Sequence, residues 1–206
     1  MTSLHESMWS ARFKAAGEDY LFGTAPSKFM ANHASLFAAG STALSVADGE
    51  GRNSVWLAEQ GLSVTALEIS PVALEKARKL AAGRGVAVDF VRGDALAWDW
   101  PQGDFDMVLA VFIQFAGPDE RPALFKGMQQ AVKPGGLLFL HGYTPKQLDY
   151  KTGGPPSAAH LYTPEQLAKD FAGWEILVLR EYEDDLQEGT AHKGRSALID
   201  LVARKP

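Results

Sequence analysis

The sequence contains no cysteine. Disulfides, thiolate-ligated zinc and a cysteine nucleophile are therefore excluded for this chain, and no metal ligand set is expected. It has no apolar run approaching the length of a membrane-spanning helix. It has no lysine- and arginine-rich cluster, and the net charge is −5. That balance argues against nucleic acid or an anionic membrane surface as the main partner. The opening residues, Met1-Thr-Ser-Leu-His-Glu6, hold no basic patch followed by an apolar core. They do not read as a signal peptide, so a cytoplasmic location is expected. Repeats, low-complexity tracts and linkers are also missing. The 206 residues are expected to form one domain, 1–206, with 1–40 as an N-terminal helical cap segment.

The stretch Leu44-Ser-Val-Ala-Asp-Gly-Glu-Gly-Arg-Asn53 stands out. It reads as a buried strand, a glycine-containing turn and a helix from Arg52 to about Gln60. Gly49 and Gly51 mark a place where backbone must come close to something. The helix that follows offers unpaired N–H groups and partial positive charge, which suit a polar or anionic ligand. A second strand, Ser63 to Glu68, ends in an acid about 20 residues after the first glycine, the spacing at which doubly wound folds place a ribose-binding carboxylate.

The remaining chain keeps the rhythm. Leu4, Met8, Trp9, Phe13 and Ala16 have helical spacing within 3–16. Pro26 is expected to start a helix through about Ala38. Ser70-Pro71 caps a helix that Gly83 and Gly85 end. Val86 to Val91 reads as a third strand and Phe105 to Phe112 as a fourth, buried on both faces. Pro118 to Val132 reads as a helix. Lys133-Pro-Gly-Gly136 is expected to turn into a fifth strand, Leu137 to His141. Residues Gly142 to Tyr162 break the pattern as a long connection, the kind that often covers a site. A short helix from Thr163 precedes strands Trp174 to Tyr182 and Ser196 to Ala203, joined by a polar connection, Glu183 to Arg195. The expected fold is α/β: a doubly wound, mostly parallel seven-stranded sheet with helices on both faces and a terminal antiparallel hairpin.

This arrangement resembles the class I S-adenosylmethionine-dependent methyltransferases. The family's first motif, acid-x-Gly-x-Gly-x-Gly, falls on Ser45-Val-Ala-Asp-Gly-Glu-Gly51, with Ser45 in place of the acid and Ala47 in place of the first glycine. The alanine implies that its position need not adopt positive φ, and Asp48 or Glu50 is a candidate to compensate for the missing acid. Gly93-Asp94-Ala95 is similar to the loop that receives the adenine amino group. Trp9-x-x-Arg-Phe, Tyr20-x-Phe-Gly-Thr-x-Pro26, Gly51-Arg-Asn53 and His192-x-Gly-x-Ser-Ala are similar to the tellurite-resistance and thiopurine methyltransferase-like branch.

The resemblance implies S-adenosyl-L-methionine as cofactor. The implied contacts are Ala47, Asp48, Gly49, Glu50, Gly51, Arg52 and Asn53 in the first loop. Glu68, Ile69 and Ser70 follow at the ribose, then Gly93, Asp94 and Ala95 at the adenine. Val111, Phe112 and Gln114 follow the fourth strand, and Trp9 and Tyr20 are candidate walls from the N-terminal segment. Phe22, Tyr143, Tyr150 and His192 are candidates for binding the acceptor. Arg52 is a cation at a helix start, an electrostatically poor place, so a carboxylate partner is expected, the cofactor's own among the candidates. The implied reaction moves a methyl group in line to a small, soft nucleophile such as a thiol or a tellurite- or selenite-like anion; a general base is needed only where the acceptor carries a proton at neutral pH. No residue is assigned as catalytic. The expected partner is a small-molecule acceptor, and the expected state a monomer or homodimer. Two alternatives stay open. One is a non-catalytic cofactor-binding protein on the same fold. The other is a nicotinamide-dependent oxidoreductase, which would want glycine where Ser54 stands.

Overall fold

The computed structural model describes residues 4–206, and the signal-peptide reading of the first three residues lies outside it. Seven strands form: β1 (Thr42–Val46), β2 (Ser63–Glu68), β3 (Asp89–Arg92), β4 (Phe105–Val111), β5 (Val132–Tyr143), β6 (Glu175–Glu188) and β7 (His192–Arg204). Their order in the sheet is β3-β2-β1-β4-β5-β7-β6. The pairs β1–β2, β2–β3 and β4–β5 are parallel, and β7 runs antiparallel to β5. This is the expected mostly parallel sheet with a terminal hairpin. The chain divides into two compact units: the residues up to Trp98 together with Glu188–Ala191, and Asp99–Gln187 together with His192–Pro206. No helix among the described residues is long and apolar enough to cross a membrane.

In the first unit β1 is nearly all buried, as expected of a parallel strand covered on both faces. Helix α1 (Leu4–Ala15) follows, but of its apolar positions Phe13 alone is buried, and Leu4 and Met8 stay exposed. The helix expected from Pro26 to Ala38 is two shorter pieces, α2 (Lys28–Asn32) and a 3₁₀ turn (Ala34–Leu36). Ser27 starts it, its Oγ accepting the Met30 N–H. His33 ends it, its Nδ1 2.8 Å from the Phe29 carbonyl. Helix α3 (Arg52–Glu59) starts as expected. In α4 (Pro71–Arg84) Ser70 caps as expected and Gly83 stays helical; the exit is at Gly85, φ +70°. The Val86 N–H still bonds the Ala81 carbonyl, so the third strand starts at Asp89 and not at Val86. Val86 and Val88 pack instead on Val55, Leu80 and Ala81.

In the second unit the interior of β4 is buried. Helix α5 spans Arg121–Ala131, later than expected, because Gly117 to Glu120 form a turn in which Glu120 Oε2 accepts the Gly117 N–H. Lys133-Pro-Gly-Gly136 is a bulge inside β5 rather than a turn before it. Phe105 pairs with Val132 and Met107 with Leu137, so these residues are looped out of the ladder. The connection after β5 is partly ordered, holding α6 (Gln147–Tyr150) and a 3₁₀ turn (Ala158–His160) before α7 (Pro164–Asp170). The largest correction is the hairpin. Glu183 to Arg195, expected as a connection, is mostly strand, and only Gly189–Ala191 turn. Arg195 reaches Glu183 at 3.0 Å and Asp185 at 3.5 Å, so polar side chains hold a ladder that their low strand propensity hides.

Candidate functional site

The loop after β1 concentrates left-handed backbone. Ala47, Gly49 and Gly51 have φ of +49°, +67° and +90°. The expectation that Ala47 avoids positive φ is thus overturned: alanine holds the conformation that the family's glycine supplies, at a steric cost. Gly49 is buried, and a Cβ there would meet the Phe13 ring at 3.7 Å, an ordinary packing distance, so its φ and not crowding is what asks for glycine. Gly51 differs. A Cβ there would lie 2.9 Å from Ala77 Cβ, so this glycine serves the packing of α3 on α4.

Asp48, one of the two acids expected to compensate, bonds to Ser45 itself. Its Oδ1 accepts from Ser45 Oγ at 2.6 Å and its Oδ2 from Ser54 Oγ at 2.5 Å. Burial pushes its carboxyl up, against the pull of these hydrogen bonds. Ser45 is therefore a donor to Asp48, three residues along.

Glu68 ends β2, buried. Its Oε2 accepts the Gly49 N–H at 2.9 Å and its Oε1 the Ser70 N–H at 2.8 Å. Burial raises its carboxyl to about 7, although both N–H bonds favour the charged form. Each oxygen keeps a further lone pair. Ile69, half-buried, and Gly93 flank it, the Gly93 N–H bonding the Glu68 carbonyl. Asp94 Oδ1 accepts the Leu96 N–H at 3.0 Å, and Ala95 is buried behind it.

Several expected contacts have side chains committed to the fold. Glu50 accepts the Leu21 N–H with one oxygen and Lys76 Nζ with the other, at 2.7 and 2.8 Å. Asn53 Oδ1 accepts the Ser27 N–H. Ser70 Oγ caps α4 and meets Ser10 Oγ. Tyr20 packs on Val55, Leu80 and Ala81 and donates to the Lys76 carbonyl. Arg52 does have a carboxylate partner: Glu188, at 2.7 Å, both side chains more than nine-tenths buried.

Aromatic rings roof the Gly49 loop. Trp9 stacks on Phe13 at 5.7 Å, and Phe22 meets Phe13 edge-on at 6.2 Å. Lys76 Nζ fastens this segment, reaching the Phe13 and Asp19 carbonyls at 3.0 and 2.8 Å.

In the second unit Phe112 follows β4 with φ +57°, a rare conformation for a bulky residue. Its ring lies 4.1 Å from that of His192, 4.6 Å from His141 and 4.8 Å from Tyr143. Val111, half-buried, precedes it. Gln114 clamps the Tyr143 backbone, its Nε2 on the carbonyl and its Oε1 on the N–H. His141 Nδ1 is 2.7 Å from Asp200 Oδ1, and Asp200 Oδ2 holds Arg180. Burial would raise the Asp200 carboxyl, but bonds to His141 and Arg180 outweigh it and hold it low. Tyr150 is drawn aside, donating to Glu183 at 2.5 Å.

Sequence reasoning missed Lys76, Glu188 and Asp200. Lys76 looks like any surface lysine on a helix, and Glu188 sat in the stretch expected as a connection. Asp200, an acid inside the apolar run Ala197-Leu-Ile-Asp-Leu-Val202, was the one with a visible signal.

Residues 43–136 match a family described as a methyltransferase domain. The 2-methyl-6-phytyl-1,4-hydroquinone methyltransferase of Synechocystis is 37% identical over 104 residues, 49% of this chain and 31% of that protein. The chain spans between about a third and a half of the length of the curated relatives it matches. The structure reported for conversion of a disulfide bond into a thioacetal group during echinomycin biosynthesis superposes with a TM-score of 0.79. It covers 98% of this chain and 92% of its own, at 21% identity. TehB from Haemophilus influenzae gives 0.70 at 17% identity, with 86% and 61% covered. At these identities the likeness establishes the fold, which is that of the Rossmann-like methyltransferases.

Proposed function

We propose that this chain, with its methyltransferase domain over residues 43–136, is an S-adenosylmethionine-dependent methyltransferase acting on a small, soft nucleophile. The observation that carries the cofactor reading is Glu68, a buried carboxylate at the end of β2 tied to the Gly49 and Ser70 N–H groups with acceptor capacity left for two ribose hydroxyls. Asp94, which spends one oxygen on Leu96, is suited to an adenine amino group, with Ile69 and Ala95 beside the base.

When bound, the cofactor supplies an activated methyl on a sulfonium. The chain's share is placement and enclosure. Glu68 fixes the sugar, and the loop at Gly49 sets the depth of the ligand. Trp9, Phe13 and Phe22 exclude water and offer ring faces, which tolerate a cation without holding it as a carboxylate would.

Two features support a soft acceptor. The rings of Phe112, Tyr143 and His192 form a polarizable surface suited to sulfur-like atoms. Two residues of the tellurite-resistance and thiopurine branch pattern also touch, Arg52 Nη1 donating to the Phe22 carbonyl at 3.3 Å. A second reading is a hydroquinone ring as acceptor, favoured by the name of the Synechocystis relative.

Calorimetry with S-adenosylmethionine and with NAD tests the cofactor, and release of S-adenosylhomocysteine across thiols, selenite, tellurite and hydroquinones tests the acceptor. Binding of NAD alone overturns the first reading. Turnover confined to hydroquinones overturns the soft-acceptor reading, and cofactor binding without turnover favours a non-catalytic protein.

A further inference from the structure

The turn between β6 and β7 belongs to the first unit, and its contacts are more numerous than a hairpin tip requires. Glu188 Oε2 takes Arg52 Nη1 at 2.7 Å, while its Oε1 takes the Lys28 N–H at 2.8 Å. The Thr190 and Ala191 N–H groups both bond the Leu21 carbonyl, at 3.0 and 3.1 Å. Gly189 is pressed so close to the 21–23 backbone that a Cβ there would lie 2.5 Å from the Gly23 nitrogen and the Leu21 carbonyl oxygen. On its other side the same segment is held by Glu50 at the Leu21 N–H. Leu21-Phe-Gly23 is therefore a strap pinned from both sides, and its Phe22 ring is part of the roof over Gly49.

A buried ion pair is a poor way to gain stability but a good way to fix one arrangement against others. Arg52 sits at the first turn of a helix, where the dipole opposes a cation. Its charge is made tolerable by Glu188, so the tip and the strap are held by a bond that has a stored electrostatic cost. We propose that Glu188 is the latch of a closure made by the strap and the hairpin tip over the Gly49 loop, and that opening this latch sets the rate at which cofactor enters and leaves. The inference rests on the cofactor reading above. Glu188 acts through Arg52 and the strap, so it is a positioning residue.

The test is stopped-flow binding of S-adenosylhomocysteine to the whole protein, wild type against E188Q. The amide of E188Q keeps the Lys28 contact through its oxygen and then turns N–H toward Arg52, so the pair is lost at constant shape. Dissociation should speed up roughly tenfold, the worth of one hydrogen bond between charged groups. Hydrogen exchange at the Thr190 and Ala191 amides should accelerate with it, while saturating ligand slows both in the wild type. The exposed pair Lys79–Glu75 gives the control, since K79Q should change neither. If E188Q proves unfolded, R52M and the rates measured under low urea replace it. Wild-type binding with unchanged E188Q dissociation overturns the latch. Failure of the wild type to bind S-adenosylhomocysteine overturns the cofactor reading first and the latch with it.

Discussion

Glu68 makes an uncommon demand: one carboxylate should weaken the fold and strengthen the ligand over the same pH range. Its carboxyl titrates at about 7 in the folded protein against an ordinary 4.5. A raised carboxyl means the folded state holds the proton more tightly than the unfolded chain between these values. Stability should therefore fall as pH climbs from about 4.5 to 7, by about 3 kcal/mol in total, and stay reduced above. In the proposed reading ribose hydroxyls donate to the ionised form, so ligand affinity should move the other way. At about pH 5.5 only ~3% of the carboxyl is ionised, which predicts S-adenosylhomocysteine binding roughly thirtyfold weaker than at about pH 8. Calorimetry in two buffers of different ionisation enthalpy should show about one proton released per ligand near pH 6. Glu68→Gln should bind weakly at every pH with no slope and no proton release. Urea melts of the two proteins should draw together, or cross, as pH rises. A flat wild-type affinity across this range, or a slope retained in Glu68→Gln, refutes the reasoning.

Other outcomes follow from the same loop and the sheet beyond it. Ala47→Gly should raise stability by about 0.5–1 kcal/mol in denaturant melts, because left-handed φ costs alanine more than the entropy glycine adds. Gly51→Ala should cost about 2–4 kcal/mol, since its Cβ would meet Ala77 and its φ is +90°; Ala77→Gly in the same chain should recover part of it. Ser45→Asp restores the family's usual acid but sets a second carboxylate against Asp48, so the melting temperature should drop, and Asp48→Ser alongside it should restore stability. Asp200→Asn should cost about 1–3 kcal/mol by removing the buried acceptor shared by His141 and the half-exposed Arg180. That loss should shrink on acidification in urea melts, because a carboxyl held low contributes fully above its unfolded value and less as it protonates.

Elements whose signals are local were legible in the sequence. The Ser70-Pro71 cap, the Ser63–Glu68 strand and the start of α3 at Arg52 depend on neighbours a few residues away. The family pattern singles out Glu68, Asp94 and the glycine loop, and the structure puts Glu68 in a hydrogen bond to the Gly49 N–H. Features made by distant partners were not legible. The tip at Glu188–Ala191 is polar and strand-poor, and nothing near it in the sequence announces Leu21 or Arg52. Ala47 departs from expectation for a related reason: residue type suggests a preference, but the surrounding turn imposes the dihedral. The bulge at Lys133–Gly136 looks like a turn because its glycines are turn glycines, and only the register of β4 with β5 shows that the strand resumes on the far side.

The contact of the turn glycine Gly189 with Gly23 bears on how the chain is made. Lys28 and Glu188 are 160 residues apart, so a ribosome must add all the residues between them before the two can meet. Such a distant closure is slow and entropically dear, and it comes late. Until then a nascent chain carries its glycine loop without the Glu188 contacts to Arg52 and Lys28. Truncation just short of Glu188 should therefore yield a protein whose first strands are paired and whose aromatic roof is loose, even though every roof residue has already been synthesised.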